Sequence, residues 1–105
     1  MFKVHIWLEK REGMTAEEFR DYWLQKHAPI ARDGYEKLKG YTALAVTGAP
    51  RGQGLRYDGV AELWWDSRED FAADMKSDAA RAATADLEKF TSGFGLMFVE
   101  EHEVK

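Results

Sequence analysis

The chain has 105 residues, 45% hydrophobic and 32% charged, with four Trp, four Tyr and six Phe, which fits one globular domain over residues 1–105 with one core and excludes a disordered chain. Fifteen Lys and Arg stand against nineteen Asp and Glu, a net charge of −4 with neutral His, and the basic residues are scattered among acids, so no nucleic acid is expected as a partner. Cysteine is absent, which excludes disulfides, a thiolate nucleophile and cysteine metal sites, and with no apolar run long enough for a signal peptide or a membrane span the expected setting is cytoplasmic, with no membrane partner.

Residues 2–9, FKVHIWLE, alternate as a strand: Phe2, Val4, Ile6 and Leu8 form an apolar face, Lys3, His5, Trp7 and Glu9 the other. The apolar face is expected to pack on helices. That leaves His5 and Trp7 facing neither bulk core nor necessarily water. Residues 10–13 make a short turn. Thr15 followed by Glu18 is a capping box that starts a helix at Ala16, and Met14 and Phe19 fall at the two places that meet as a hydrophobic staple. Phe19, Tyr22, Trp23 and Ile30 then recur at three- and four-residue steps, and His27, four residues after Trp23, lies on the same inward stripe, away from Glu17, Arg20, Asp21 and Gln25.

Pro29 donates no N–H, its ring clashes with the Gln25 carbonyl, and it pushes Ala28 from helical angles, which predicts a break or kink at His27 to Ala28. A second short helix is expected from Pro29 through Tyr35 and Leu38 to a stop at Gly40. His27 would sit at a helix end whose unpaired carbonyls favour the imidazolium modestly. It is either the best candidate for acid–base chemistry or a packed histidine bonding a freed carbonyl, and spacing alone favours the packed role.

Residues 41–47 read as a second strand, with Thr42, Leu44 and Val46 against Tyr41, Ala43, Ala45 and Thr47. Residues 48–54, GAPRGQG, read as a loop; no Lys-Ser/Thr pair follows them and a strand comes next, so they are not a phosphate loop. The third strand, residues 56–65, puts Tyr57, Gly59, Ala61, Leu63 and Trp65 on one face and Asp58, Val60, Glu62 and Trp64 on the other, with Glu62 a carboxylate in an otherwise apolar strand. Asp66 or Ser67 caps a helix carrying Phe71, Ala72, Met75 and Ala79. Ser77 and Asp78 look like a renewed cap, after which Ala79, Ala82, Ala83, Leu87 and Phe90 form a stripe. Asp86 lies within that stripe. It is expected at its edge, wet or paired with Lys89 or Arg81, with a catalytic role as the other possibility. A last strand, residues 94–104, sets Phe94, Leu96 and Phe98 against Gly95, Met97 and Val99, and its tail with Glu101, His102 and Glu103 reads as a solvated end without metal-ligand spacing.

The order strand, helix, strand, strand, helix, strand is the α+β ferredoxin-like βαββαβ arrangement, an antiparallel four-stranded sheet with helices on one face. The other face, with His5, Trp7, Glu62 and Trp64, would stay uncovered in a monomer, so a second copy facing it is expected, pairing two sheets into a dimeric α/β barrel. Strands one and three are neighbours in that order, so His5 and Glu62 are expected to approach across the ladder.

The run GMTAEEFRDYW at 13–23, the following His27-Ala28-Pro29, YDGVAELWW at 57–65 and Ala85-Asp86 before Phe90 resemble the EthD-like family of the dimeric α/β-barrel superfamily over nearly the whole chain. The resemblance implies a homodimer with a ligand cavity in each subunit between sheet and helices. It also implies chemistry usually without a cofactor, since relatives are tied to ethyl tert-butyl ether breakdown, methylmuconolactone isomerisation, and dehydration or cyclisation of polyketides. The histidine of Trp-x-x-x-His-Ala-Pro lines the cavity in such proteins and corresponds to His27. A broader kinship with polyketide cyclases and cofactor-free monooxygenases makes His5 a second candidate.

The expected function is therefore a small cofactor-independent enzyme acting on an apolar small-molecule ligand, aromatic, polyketide-like or lactone, by proton transfer, as isomerase, dehydratase or cyclase. His27 would be general acid or base, oriented by Asp86, Glu62 or His5, and Trp7, Phe19, Tyr22, Trp23, Trp64 and Phe90 would wall the pocket against water. The alternatives are a non-catalytic binding or accessory protein in a degradation or stress pathway, and a haem-binding barrel.

Overall fold

The computed structural model describes residues 1–54 and 56–105. Four strands, β1 (Phe2–Lys10), β2 (Gly40–Ala45), β3 (Gly59–Trp65) and β4 (Thr91–Val99), form one sheet in the spatial order β2-β3-β1-β4, every adjacent pair antiparallel. Helices α1 (Ala16–Tyr22) and α2 (Ala28–Gly34), joined by a π-turn (Trp23–His27), link β1 to β2, and α3 (Arg68–Met75) and α4 (Asp78–Leu87) link β3 to β4. This is the expected ferredoxin-like arrangement.

Alternation in β1 and β3 decides which face the helices take. Val4, Leu8, Ala61, Leu63 and Trp65 are buried against Phe19, Trp23, Ala31, Leu87 and Phe90, so both helical connections cover the same side of the sheet. Trp23, Trp65, Phe19 and Phe90 are all but completely buried, and each of the two phenyl rings contributes about 2–3 kcal/mol by leaving water. Local signals fix the helix starts. Thr15 accepts from the Glu18 N–H at 3.0 Å while the Glu18 carboxylate accepts from the Thr15 N–H at 2.8 Å. Ser67, rather than Asp66, caps α3, and Ser77 caps α4 where the sequence renews its cap signal.

Element ends differ from the periodicity in several places. β2 stops at Ala45, because its partner β3 begins only at Gly59, and the pair closes with Val46 donating to the Asp58 carbonyl. For the same reason residues 56–58 lie outside β3. β4 begins at Thr91, opposite Lys10, and ends at Val99, opposite Lys3, where β1 runs out; the charged tail therefore leaves the sheet. Finally, α2 ends at Gly34 rather than near Gly40, because Tyr35 turns to an extended backbone (φ −89°, ψ 98°) and lays its ring over Trp65 at 6.4 Å.

On the face away from the helices the indoles of Trp64 and Trp7 lie flat over Gly40 and Gly95, positions with no room for a Cβ. Two glycines thus let two tryptophans pave this side of the sheet.

Candidate functional site

The π-turn organises the site. Ala28 N–H donates to the Trp23 carbonyl, five residues back, so one extra residue is accommodated just before Pro29. Of the expected break or kink, no break occurs; the irregularity is the π-turn itself. The wide turn displaces the carbonyl that the proline ring would strike, and Ala28 keeps helical angles of −56° and −37°. In an α-helix residues five apart point about 140° away from each other; the inserted residue instead turns Tyr22 and His27 toward one partner.

That partner is Asp86, on α4. His27 Nδ1 lies 2.8 Å from Asp86 Oδ2, and the Tyr22 hydroxyl donates to Asp86 Oδ1 at 2.8 Å. The His27 and Asp86 side chains are 12% and 11% exposed, with Lys89 Nζ 3.7 Å from Oδ1 at the rim. Asp86 is therefore not a wet edge carboxylate; the expected pairing with Lys89 is present, whereas Arg81 pairs instead with Asp78. His27 bonds a carboxylate, not a freed helix carbonyl, and its ring packs on Phe90 at 4.7 Å. Burial pushes its pKa below the ordinary range, with Asp86 pulling partly the other way, where a bare helix end would have favoured the cation. Burial, then Asp86, raises the Tyr22 phenol, which keeps it a donor.

A neutral imidazole whose Nδ1–H donates to a carboxylate presents a free lone pair at Nε2. Among the described residues Nε2 has no hydrogen-bond partner, and no side-chain polar atom is sealed in without one. The ring lines a cavity of about 120 Å³ between sheet and helices. Its walls come from the helix face of all four strands and from α2, α3 and α4, and they are almost wholly apolar. A base at the wall of an apolar cavity is the chemical capacity of this arrangement.

One small-residue contact and one hydrogen bond hold the geometry. A Cβ on Gly59 would lie 2.5 Å from the Trp23 ring, so this glycine lets the indole lie flat on the sheet. Trp23 Nε1 then donates to the Tyr41 hydroxyl at 2.9 Å.

The other expected site residues divide by sheet face. His5 and Glu62 are opposite each other across β1 and β3, with His5 Nε2 2.9 Å from Glu62 Oε2, so the expected cross-strand approach is present. Their place is the face away from the helices, and they cannot orient His27; of the three residues expected to do so, only Asp86 touches it. Burial works to raise the Glu62 pKa, but bonds from His5 and Lys3 outweigh it and hold the carboxyl below its ordinary value. Lys3 is raised, chiefly by its bond to Glu101. Trp7 and Trp64 lie on that outer face as well and do not wall the cavity. Trp23 does, whereas Phe19, Tyr22 and Phe90 form the aromatic packing beneath His27.

Sequence reading missed the walls supplied by Tyr35, Tyr41, Trp65, Phe71 and Met75. Strand parity carries the signal for Trp65, which shares a face with Ala61 and Leu63, and pairing to Leu63 puts Tyr41 there too. It also missed Asp74, buried at 4% exposure and accepting from Trp65 Nε1 at 2.8 Å and from the Lys37 backbone N–H at 3.0 Å. A buried indole needs an acceptor, and that requirement was the available clue. Among the described residues no three His, Asp or Glu side chains gather closely enough to hold a metal ion, and no helix is long and apolar enough to cross a membrane.

An EthD family protein of Bacillus halodurans C-125 superposes with a TM-score of 0.80 at 24% identity, covering 97% of this chain and 100% of its own. An EthD-like protein of Ralstonia eutropha JMP134 reaches 0.71 at 18% identity, covering 98% and 95%. A dimeric ferredoxin-like protein of Thermobifida fusca YX reaches 0.67 at 16% identity, covering 93% and 88%. At these identities the likenesses carry the fold alone. No protein of curated function matches the chain. The EthD domain family matches residues 11–93, from the turn before α1 into β4 and across the whole Tyr22–Asp86–His27 cluster; the chain belongs to the EthD family.

Proposed function

We propose that the protein is a small enzyme that moves a proton on an apolar ligand without a cofactor, His27 Nε2 taking the proton and returning it as isomerase, dehydratase or cyclase chemistry requires. One observation carries the reading. A buried histidine is held through Nδ1 by Asp86, itself held by Tyr22, and lines an apolar cavity. The carboxylate fixes the tautomer and offsets part of the charge that appears when Nε2 is protonated. Burial lowers the imidazole pKa, so the base is free at neutral pH, and the apolar wall keeps water from competing for the proton.

The ligand is apolar and small, in keeping with a cavity of about 120 Å³. A second copy of the chain covers the outer sheet face, where Trp7 and Trp64 surround the Lys3–Glu62–His5 group; the similar Thermobifida fusca protein is described as dimeric. The absence of cysteine fits a cytoplasmic setting.

The test is hydrogen exchange. The protein is incubated in D₂O with a panel of small lactones and aromatic ketones, and loss of the proton beside the carbonyl is followed by NMR. Wild type should exchange at least one member, and His27→Gln should not, while keeping its fold by circular dichroism. Equal exchange by His27→Gln, or none by wild type across the panel, defeats the proposal.

A further inference from the structure

Among the described residues Nε2 of His27 lacks a hydrogen-bond donor, and the hydroxyls of two tyrosines lining the same cavity lack an acceptor, so they ask for a particular ligand atom. Tyr41 is on β2, opposite Leu63, with its side chain on the helix face. The Trp23 indole donates to its oxygen at 2.9 Å. Indole N–H can only donate, so this bond occupies an acceptor position on Tyr41 and sends the phenol's own proton elsewhere. No acceptor for that proton is found among the described residues. Tyr35, just past α2, stacks on Trp65, and its hydroxyl bonds no described residue, yet no side-chain polar atom is sealed in unpaired. The Tyr35 hydroxyl is therefore accessible, on a residue that lines the cavity.

We infer that Tyr35 and Tyr41 form an oxygen-binding subsite in the cavity lined by His27, and that the ligand is a carbonyl compound whose oxygen takes up negative charge as His27 removes a neighbouring proton. The inference rests on the proton-transfer reading above and names its substrate class. Both phenols stay protonated and able to donate at neutral pH. Tyr35 is pushed up to about 12 by burial, then by Tyr41 and Asp74, and burial raises Tyr41 against the opposing pull of the Trp23 bond. With the rest of the wall apolar but for His27 and Thr84, two unused O–H donors are matched by an oxygen of the ligand or by water that it displaces.

The step balances without an oxidant or metal. The C–H bond next to the carbonyl breaks, its proton passes to Nε2, and its electron pair forms a carbon–carbon double bond while the carbonyl π pair moves onto oxygen. The two phenol protons hydrogen-bond that oxyanion in a site that excludes water, where such donors count for more than in solution. Return of the proton from Nε2 to the same carbon gives exchange; where a carbon–carbon double bond is conjugated with the enolate, return to the far carbon of that dienolate shifts the double bond and regenerates the carbonyl as an isomer. Trp23 is a positioning residue, acting through Tyr41.

The test separates this subsite from the base. The probe is 4-nitrophenol, whose coloured phenolate resembles an enolate and reports its own ionisation. Wild type should bind the phenolate and lower the apparent pKa of bound nitrophenol. Tyr35→Phe, which removes no bond within the protein, and Tyr41→Phe should each bind it about tenfold to a hundredfold more weakly, with unchanged melting for Tyr35→Phe. His27→Gln should retain phenolate binding. Phenolate binding by both Phe variants equal to wild type, or no binding by wild type, overturns the subsite. Loss of binding in the Phe variants supports it even if the exchange panel fails, an outcome that would count against the base alone.

Discussion

Gly34 and Ala79 touch so closely that a Cβ placed on Gly34 would lie 2.5 Å from the Ala79 Cβ. His27 stands seven residues before Gly34, and Asp86 seven residues after Ala79, about two helical turns away in each case. The contact and the His27–Asp86 hydrogen bond are thus the two ends of one antiparallel packing of α2 on α4, with the buried Ala31, Ala80 and Ala83 as small residues on the two helices. Helices that meet through small side chains can approach closely enough for a histidine and an aspartate to bond directly.

Gly34→Ala should therefore act at a distance. The added methyl separates the helices at one end, costing about 1–3 kcal/mol, and should weaken the downfield NMR resonance of the Nδ1 proton shared by His27 and Asp86. Ala79→Gly in the same chain should restore the resonance, and most of the stability apart from about 1 kcal/mol for a glycine within α4. An unchanged resonance in Gly34→Ala would show that the helix contact does not position the pair.

Acid should unfold the protein partly through His27. Its folded pKa lies below the ordinary 6.5 because burial disfavours the cation, so the unfolded chain binds the proton more readily. Stability is then full above about pH 6.5 and is lost as pH falls through the lower folded value. Tyr22, Asp86 and Lys89 are the ionisable groups around the ring, and all three stay in place in His27→Gln. Melting temperatures from about pH 8 to about pH 5 should fall less steeply for that variant than for wild type. Parallel curves would assign the acid sensitivity to other groups.

The order of elements was legible in the sequence because each rests on short-range signals: Thr15 with Glu18, Ser77 before α4, and strict alternation in β1 and β3. Two-sided strands also made the outer face legible, including the meeting of His5 with Glu62. What the sequence hid is the π-turn. Pro29 announced trouble with the helical register, but a break and an inserted residue relieve the same clash, and which occurs depends on packing, since only the π-turn brings Tyr22 and His27 to one carboxylate. Asp86 stood out as an acid in an apolar stripe. Lys89 was within local reach, but the hydrogen-bond partners of Asp86 are 59 and 64 positions away, beyond any local pattern, and the places of Tyr35 and Tyr41 in the cavity wall were hidden for the same reason.

The outer sheet face should be an interface. Trp64 lies flat over Gly40 with Lys3 Nζ 5.3 Å from its ring centroid, and the Lys3–Glu62–His5 group is centred on the same face. Wild type should scatter light as a dimer. Trp64→Glu sets an added carboxylate on the strand that carries Glu62 and should give monomers that keep their secondary structure. Wild-type monomers in dilute solution would end the barrel reading.

Asp86→Asn tests the candidate site most directly, because it changes a charge and a donor pattern while preserving shape. Asp86 accepts two hydrogen bonds, from Tyr22 on one oxygen and from His27 Nδ1–H on the other. An asparagine offers one oxygen and one amino group, so it can accept from only one of these partners and must present N–H to the other. If its oxygen keeps Tyr22, the amino group faces Nδ1, and the imidazole bonds it only by moving its proton to Nε2, the nitrogen that has to be empty to act as a base. If it keeps His27, Tyr22 must turn its proton away, and the compensating charge beside the imidazolium is lost in either case. Proton exchange on a responsive ketone should fall by about 10²–10⁴, with stability lowered by about 1–3 kcal/mol. Nitrogen NMR shifts of His27 should report the proton on Nδ1 in wild type and a larger share on Nε2 in the variant. A variant that melts early yet exchanges its substrate within about threefold of wild type, far short of the loss expected of a misheld base, would reduce Asp86 to a structural tie between α4 and the π-turn.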